Sequence, residues 1–449
     1  MRRLVGHRAL LWLGVFLPLA ILFFLTAESD IYRLSPDPVA AAVPAWQLAE
    51  HGSLDLTGTE YPQNHWLRPW HGEVLSNRTP GVIAFGVPAA LLARPFEEQF
   101  SLTPERLTAA SVAAAAVATF ALLLLELGAT RREAALFAIL GGLATSTWSV
   151  SADALWTHGP DQLLLMVAML AAARQRYWLS GIALGVAELV RVHLVVVAFV
   201  LGVWLAVRQR SPLRLLQFGI PAAAGIGLLV GYAEAVFGLR SLSPGYAATG
   251  YDYTSTAVST GPGVARQLGE SMLGALISRD RGLLTVSPVL LILLFALPRA
   301  WRAAPAWTGA SAVGGIAYFL VQSKLNTFTG GVHFYGYRLT LEPLTLWAPL
   351  LWIGWRDRER GGGWERAVQA TLCLSLGVQA LGVFYATPDA VTDPWRHWFV
   401  VEAFDPDLHP VICQGVVLLS ILAAGACLLR RQREPVHSSS PPPGPPGLS

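Results

Sequence analysis

Charge is what this sequence has least of. Asp, Glu, Lys and Arg make up only 14% of its 449 residues, against 53% hydrophobic residues. A soluble chain of that length exposes far more charge, so a water-soluble globular class is excluded. Cysteine is also scarce. Cys373, Cys413 and Cys427 lie in or beside apolar runs, and no spacing among them suits a zinc site or a redox pair. They read as small core hydrophobes. No basic patch interleaved with aromatics lies on a soluble face, which argues against nucleic acid as a partner. No P-loop, GxGxxG fingerprint or serine nucleophile elbow stands out, so nucleotide and serine-hydrolase chemistry lack their usual anchors.

What the chain does have is apolar runs. Many reach or approach the roughly 18–20 residues needed to span hydrocarbon, so the expected class is an all-α integral membrane protein. Ala9 to Ala27 follows Arg2, Arg3 and Arg8 and reads as an uncleaved first helix with its N-terminus cytoplasmic. A large first external loop then runs to about residue 106, with Glu28, Asp30, Asp37, Asp55, Glu60, Glu73, Glu97 and Glu98. Within it, 38–48 is expected as an amphipathic helix lying on the membrane. The segment 79–92 is apolar but short and holds two prolines, so it is expected to be interfacial or re-entrant. Were it to span, every later arginine cluster would fall outside and the positive-inside rule would fail repeatedly.

With that choice the ladder closes. Expected helices are 107–128, 134–151, 161–173, 178–190, 194–207 and 214–237, then, after a second external loop at 238–281, 283–298, 306–323, 338–355, 366–386 and 411–429. Every inward return lands on arginine. The expectation is about twelve transmembrane helices in one domain, 1–433, with both termini cytoplasmic and a disordered tail, 434–449. No inverted repeat is visible, which weighs against a secondary transporter.

Polar motifs gather on the outer side. Asp30 ends the first helix; it is either a solvated loop charge or a general base held at the membrane surface. Glu28 reads as structural and Tyr32 as an interfacial anchor. Asp161 follows His158-Gly159-Pro160 and opens a helix, where the positive end of the dipole stabilises a carboxylate. It and His158 are either local structure or a place to orient a substrate or a divalent cation, and Asp153 competes for that role. Arg191 stands in a tight external turn before His193, pairing with Glu188 or gripping a lipid phosphate. Arg281 beside Gly282, and Tyr337-Arg338 after Gly336 with Glu342 one turn on, place further arginines at the same edge. Each alone is explained by snorkelling among belt aromatics; three together favour anion binding. The loops also hold Tyr61, His65, Trp66, Trp70, His71, Tyr246, Tyr251 and Tyr253, which suit sugar stacking or any interfacial loop. Asn77-Arg78-Thr79 is a formal glycosylation sequon of low specificity.

On Asp30, the interfacial Pro80-Gly81 segment, Asp161, Arg281-Gly282-Leu283-Leu284 with Ser287-Pro288, and Gly336-Tyr337-Arg338, the chain resembles the GT-C superfamily of membrane glycosyltransferases. More narrowly it looks like the bacterial protein-mannosyltransferase-like and lipid A sugar-transferase group, over roughly residues 9–355. It departs from that pattern where Ser29-Asp30 replaces an Asp-Glu pair and where Arg78 stands two residues before Pro80. The resemblance implies a polyprenyl-phosphate-linked sugar donor, an unidentified glycan, lipid or protein acceptor, and a home in the bacterial inner membrane among its lipids. It implies Asp30 as catalytic base, with Asp161 assisting or sharing a divalent cation (Mg or Mn) with it. It implies Arg191, Arg281 and Arg338 as phosphate ligands, and His158 and Tyr337 as substrate-binding neighbours. On this reading Asp30, Asp161 and an arginine should converge on one external cavity. The rival functions are a non-catalytic transporter or flippase of lipid-linked glycan and a scaffold subunit of envelope assembly.

Overall fold

The computed structural model describes residues 2–31, 34–61, 64–248, 261–331, 333–356, 363–385 and 395. Tyr32, Tyr251, Tyr253, Cys413, Cys427, the expected helix 411–429, most of the loop 387–410 and the tail 434–449 lie outside the described residues. The described chain is mostly helical. Five of its helices are long and apolar enough to cross a membrane.

The first, α1 (Arg2–Thr26), carries no charged residue after Arg8. Val15, Leu19 and Phe23, one turn apart, are fully buried, while Leu10, Leu13, Leu17, Ile21 and Leu25 face outward. A helix with one packed stripe and apolar residues elsewhere is built for lipid. The chain then forms α2 (Pro36–His51), a hairpin of β1 (Leu67–Trp70) and β2 (Glu73–Ser76), and α3 (Pro80–Ala93). The hairpin was not legible in the helical pattern. Its two-residue turn is His71-Gly72, both with positive φ, the primed geometry that matches strand twist. In α2, Val39, Ala40, Ala41, Val43, Ala45 and Trp46 are buried, several of them against Val82, Ile83 and Ala90 of α3. The helix α3 is apolar and 14 residues long.

Next comes α4 (Thr103–Glu126), the most enclosed of the long helices. Its alanines let neighbours approach closely. The expected helix 134–151 is instead α5 (Arg131–Leu143) followed by a wide turn at Thr147–Ser151. Thr145 returns its hydroxyl to the Gly141 carbonyl at 2.7 Å, and a Thr-Ser-Thr run competes with helix continuation. Then α6 (His158–Ala173), α7 (Tyr177–Val190), α8 (Val195–Gln209) and α9 (Leu213–Phe237) follow the expected bounds within a few residues.

The expected loop 238–281 contains a short helix, α10 (Pro244–Ala248), and a longer one, α11 (Pro262–Ile277). The expected helix 283–298 is three short pieces, α12 (Leu283–Val286), α13 (Val289–Leu294) and α14 (Leu297–Ala303). Pro288 has no N–H and breaks the first junction, while the Val289 N–H goes to Ser375 Oγ at 3.0 Å. Last are α15 (Ala306–Leu325), α16 (Leu341–Arg356) and α17 (Gly363–Tyr385).

The helices pack with two chemically different ends. At one, Glu126 Oε1 is shared by Arg8 and Arg174, each at 2.9 Å, and Arg356 donates to the Leu127 carbonyl. The start of α1 and the ends of α4, α6 and α16 therefore meet among arginines. At the other end, Trp148 Nε1 donates to Thr26 at 3.0 Å, and the starts of α6 and α16 meet the ends of α7 and α15. The polar residues of interest gather there.

Candidate functional site

A cavity of about 280 Å³ opens at this second end, between α2, the hairpin exit, the starts of α6 and α16, and the ends of α7 and α15. Among the described residues its one carboxylate is Asp37, in the first turn of α2. Arg78 Nη1 stands 3.3 Å from Asp37 Oδ1 and Arg338 Nη1 stands 2.8 Å from Oδ2. Burial alone would raise the Asp37 pKa. The two guanidinium groups, Arg78 and then Arg338, outweigh it and hold the carboxyl down at about 2.

Each arginine is positioned by aromatics. Arg78 leaves the hairpin through Ser76, whose hydroxyl caps the Ala40 carbonyl. It lies over Trp66 at 5.2 Å and Tyr246 at 5.3 Å and donates to Tyr246 Oη at 2.8 Å. Arg338 lies over Trp156 at 4.5 Å and Phe334 at 5.1 Å. Cation–π contact of this kind fixes a guanidinium without consuming its in-plane donors. Gly336 sets the approach of Arg338: its φ is +83°, and a Cβ there would collide with Ser146 Oγ. So two of the loop aromatics, Trp66 and Tyr246, serve the arginine, while Trp70 donates to the Phe237 carbonyl at 2.9 Å.

Behind the cavity lies a buried charged cluster. The Arg191 side chain reaches Asp161 at 3.5 Å and Glu342 at 3.8 Å. Its remaining N–H groups are directed at Tyr318 (3.3 Å), Gln322 (3.4 Å), Thr157 and His158 Nε2 (3.2 Å). Since arginine only donates, His158 Nε2 accepts. Its Nδ1 therefore carries the proton and donates to Glu342 Oε1 at 2.7 Å. Arg191 is thus committed to protein acceptors and ties α6, α7, α15 and α16 together. Its expected partner Glu188 instead faces Gly225 across the α7–α9 contact.

The sequence-derived candidates separate into three places. Arg191, Arg338 and His158 line the cavity, and Asp161 sits directly behind it. Arg281 does not line it: its Nη1 donates to the Phe334 and Gly336 carbonyls and its guanidinium covers the Phe334 ring at 3.7 Å. Tyr337 is buried with its hydroxyl 2.9 Å from Ser287 Oγ. Both hold the loop that carries Arg338 and do not face the cavity. Asp30 lines a separate open depression with Ser29, Ile31 and Phe100 to Leu102. The expected convergence of Asp30 with Asp161 and an arginine therefore does not occur. A base must come within hydrogen-bond reach of its proton, and the acid that meets the arginines is Asp37.

Glu28 is structural, its carboxyl accepting the Ser29 and Asp30 N–H groups at 2.8 and 2.9 Å. Asp153 accepts the Glu28 N–H at 3.0 Å, which places it at the end of α1. The residues present do not fit a divalent cation shared by Asp30 and Asp161. Asp161 is ion-paired to Arg191, Asp37 has two guanidinium partners, and no cluster of three His, Cys, Asp or Glu with metal-binding geometry occurs among the described residues.

Sequence reasoning passed over Asp37 as one acid among many in the first loop. The available signal was its place in Ser35-Pro36-Asp37-Pro38, a helix start. These features define a mostly helical membrane protein with a cationic cavity at one end of the bundle. Comparison with protein-family models, curated proteins and solved structures finds no match to this chain.

Proposed function

We propose that the chain is a membrane glycosyltransferase of GT-C type, moving a sugar from a polyprenyl-phosphate-linked donor to an acceptor hydroxyl. The reading places the cavity on the external face of the bacterial inner membrane, with about twelve spans and both termini cytoplasmic. The observation that carries it is Asp37 held between Arg78 and Arg338 in the wall of one cavity of an apolar bundle. A carboxylate beside two planar cations supplies a base and a phosphate grip in one place.

In the proposed step the acceptor oxygen attacks the anomeric carbon, and the bond from that carbon to the phosphate oxygen breaks. Its electron pair stays on the phosphate, which Arg78 and Arg338 stabilise, so the leaving group needs no proton. Asp37 takes the acceptor's proton. Attack opposite the phosphate inverts the anomeric centre. Arg191 positions the cavity wall, with Asp161, Glu342 and His158 holding it in place.

Asp37→Asn should abolish transfer by purified protein while leaving co-purified polyprenyl phosphate detectable by mass spectrometry. Asp30→Asn should transfer normally. Full activity in Asp37→Asn, or loss confined to Asp30→Asn, would overturn the assignment of the base. Wild-type protein that carries lipid-linked sugar across a vesicle bilayer without transferring it would favour a flippase.

A further inference from the structure

Two carboxamides in the cavity wall are oriented the same way by an arginine. Asn77 Oδ1 accepts from Arg78 Nε at 2.7 Å. Gln322 Oε1 accepts from Arg191 Nη1 at 3.4 Å and lies 2.7 Å from His193 Nε2. Neither amide can be turned over, because its NH2 would then face guanidinium donors. Both are enclosed, at 4% and 1% exposure. Their amide nitrogens, Asn77 Nδ2 and Gln322 Nε2, have no hydrogen-bond partner among the described residues. Both residues line the cavity that holds Asp37, Arg78 and Arg338. A buried donor without an acceptor is costly, so a pair of them on residues that line one cavity marks a ligand rich in acceptor oxygens.

Phosphate oxygens alone do not need neutral amides, since the guanidinium pair already suits them. Sugar hydroxyls do: they are uncharged, each accepts a hydrogen bond, and fixed amide donors distinguish one hydroxyl pattern from another. We infer that Asn77 and Gln322 are the sugar-reading residues of this site, donating to ring hydroxyls while Arg78 and Arg338 hold the phosphate. The inference rests on the transferase reading above, and its test separates the two.

The experiment measures binding of decaprenyl phosphate and of its mannosyl, glucosyl and arabinosyl esters to the full-length protein in nanodiscs. The quantity read is the affinity ratio between the best ester and the bare phosphate, taken within each variant so that changes in phosphate binding cancel. Wild-type protein should prefer one ester. Asn77→Leu and Gln322→Met should each reduce that ratio about tenfold. Asn77→Asp and Gln322→Glu keep the oxygen that faces arginine and replace the donor with a charged acceptor, so the ratio should collapse in them too. They serve as the readout if an apolar variant does not fold. Equal loss for phosphate and ester would assign these residues to structure and overturn the inference, as would unchanged ratios. Wild-type binding of bare phosphate with no ester preferred would overturn it while leaving the phosphate site standing. No binding of any probe would sink the transferase reading itself.

Discussion

Asp37 shows how a residue acquires a role from its neighbours. In an unfolded chain its carboxyl titrates near 3.8; between Arg78 and Arg338 it titrates at about 2. The sign follows directly. Above the ordinary carboxylate range both states are ionised and the pair contributes its full stabilisation, about 2 kcal/mol. As pH falls from about 4 toward 2, the unfolded chain takes up the proton first and that contribution is lost. Thermal unfolding from pH 7 to 2.5 should show a wild-type decline in this acid range that Asp37→Asn lacks. Identical profiles would mean that the ion pairs do not form. Arg338→Lys is expected to weaken decaprenyl phosphate binding about tenfold, because an ammonium cannot both lie flat against Trp156 and Phe334 and present a fork; unchanged binding would remove Arg338 from the phosphate site. Of the acids in the first loop, sequence spacing picked Asp30 because it follows the first span directly. Nothing in spacing tells which acid will be folded back against Arg338, three hundred residues away. Arg191, Arg338 and His158, singled out in the sequence because polar groups at membrane edges are costly without a purpose, line the cavity.

At the scale of elements, the contact between α7 and α9 rests on close backbone approach. Gly181 and Gly185, four residues apart on α7, meet the carbonyls of Gln217 and Pro221 with no room for a Cβ. Gly225 answers from α9, where a Cβ would stand 2.8 Å from Glu188 Oε2 and collide with the Gly185 carbonyl. Small residues at helical spacing allow this packing in lipid, where burial of apolar surface drives little. Gly225→Ala should therefore destabilise the protein by about 1–3 kcal/mol in a thermal melt in detergent. Gly227→Ala, two residues on and in open space, should be neutral or stabilise by up to about 1 kcal/mol through helix propensity. Equal effects at both positions would mean the helices do not cross there. Composition and length were enough to find these helices. The breaks in 134–151 and 283–298 were harder to see, because an apolar run conceals where Thr145 to Thr147 and Pro288 divert the backbone.

For the whole molecule, the proposed topology puts the joining of Arg8, Glu126 and Arg174 on the cytoplasmic side and the site outside. In a background without Cys373, Cys413 and Cys427, Glu73→Cys in the hairpin should react with a membrane-impermeant thiol reagent added to intact cells. Arg132→Cys at the start of α5 should react only after permeabilisation; the reverse pattern would invert the topology. The sequence by itself determined the class of protein, most helix positions and the expected sidedness. Those follow from hydrophobic length and arginine placement, which act locally and leave a one-dimensional trace. Tertiary structure alone decided which acid meets the arginines, that Arg281 and Tyr337 support a loop, and that Asn77 and Gln322, each with an unpartnered amide nitrogen, line one cavity. Each of these depends on side chains from distant helices meeting at hydrogen-bond distance, and such meetings leave no periodic mark in a single chain.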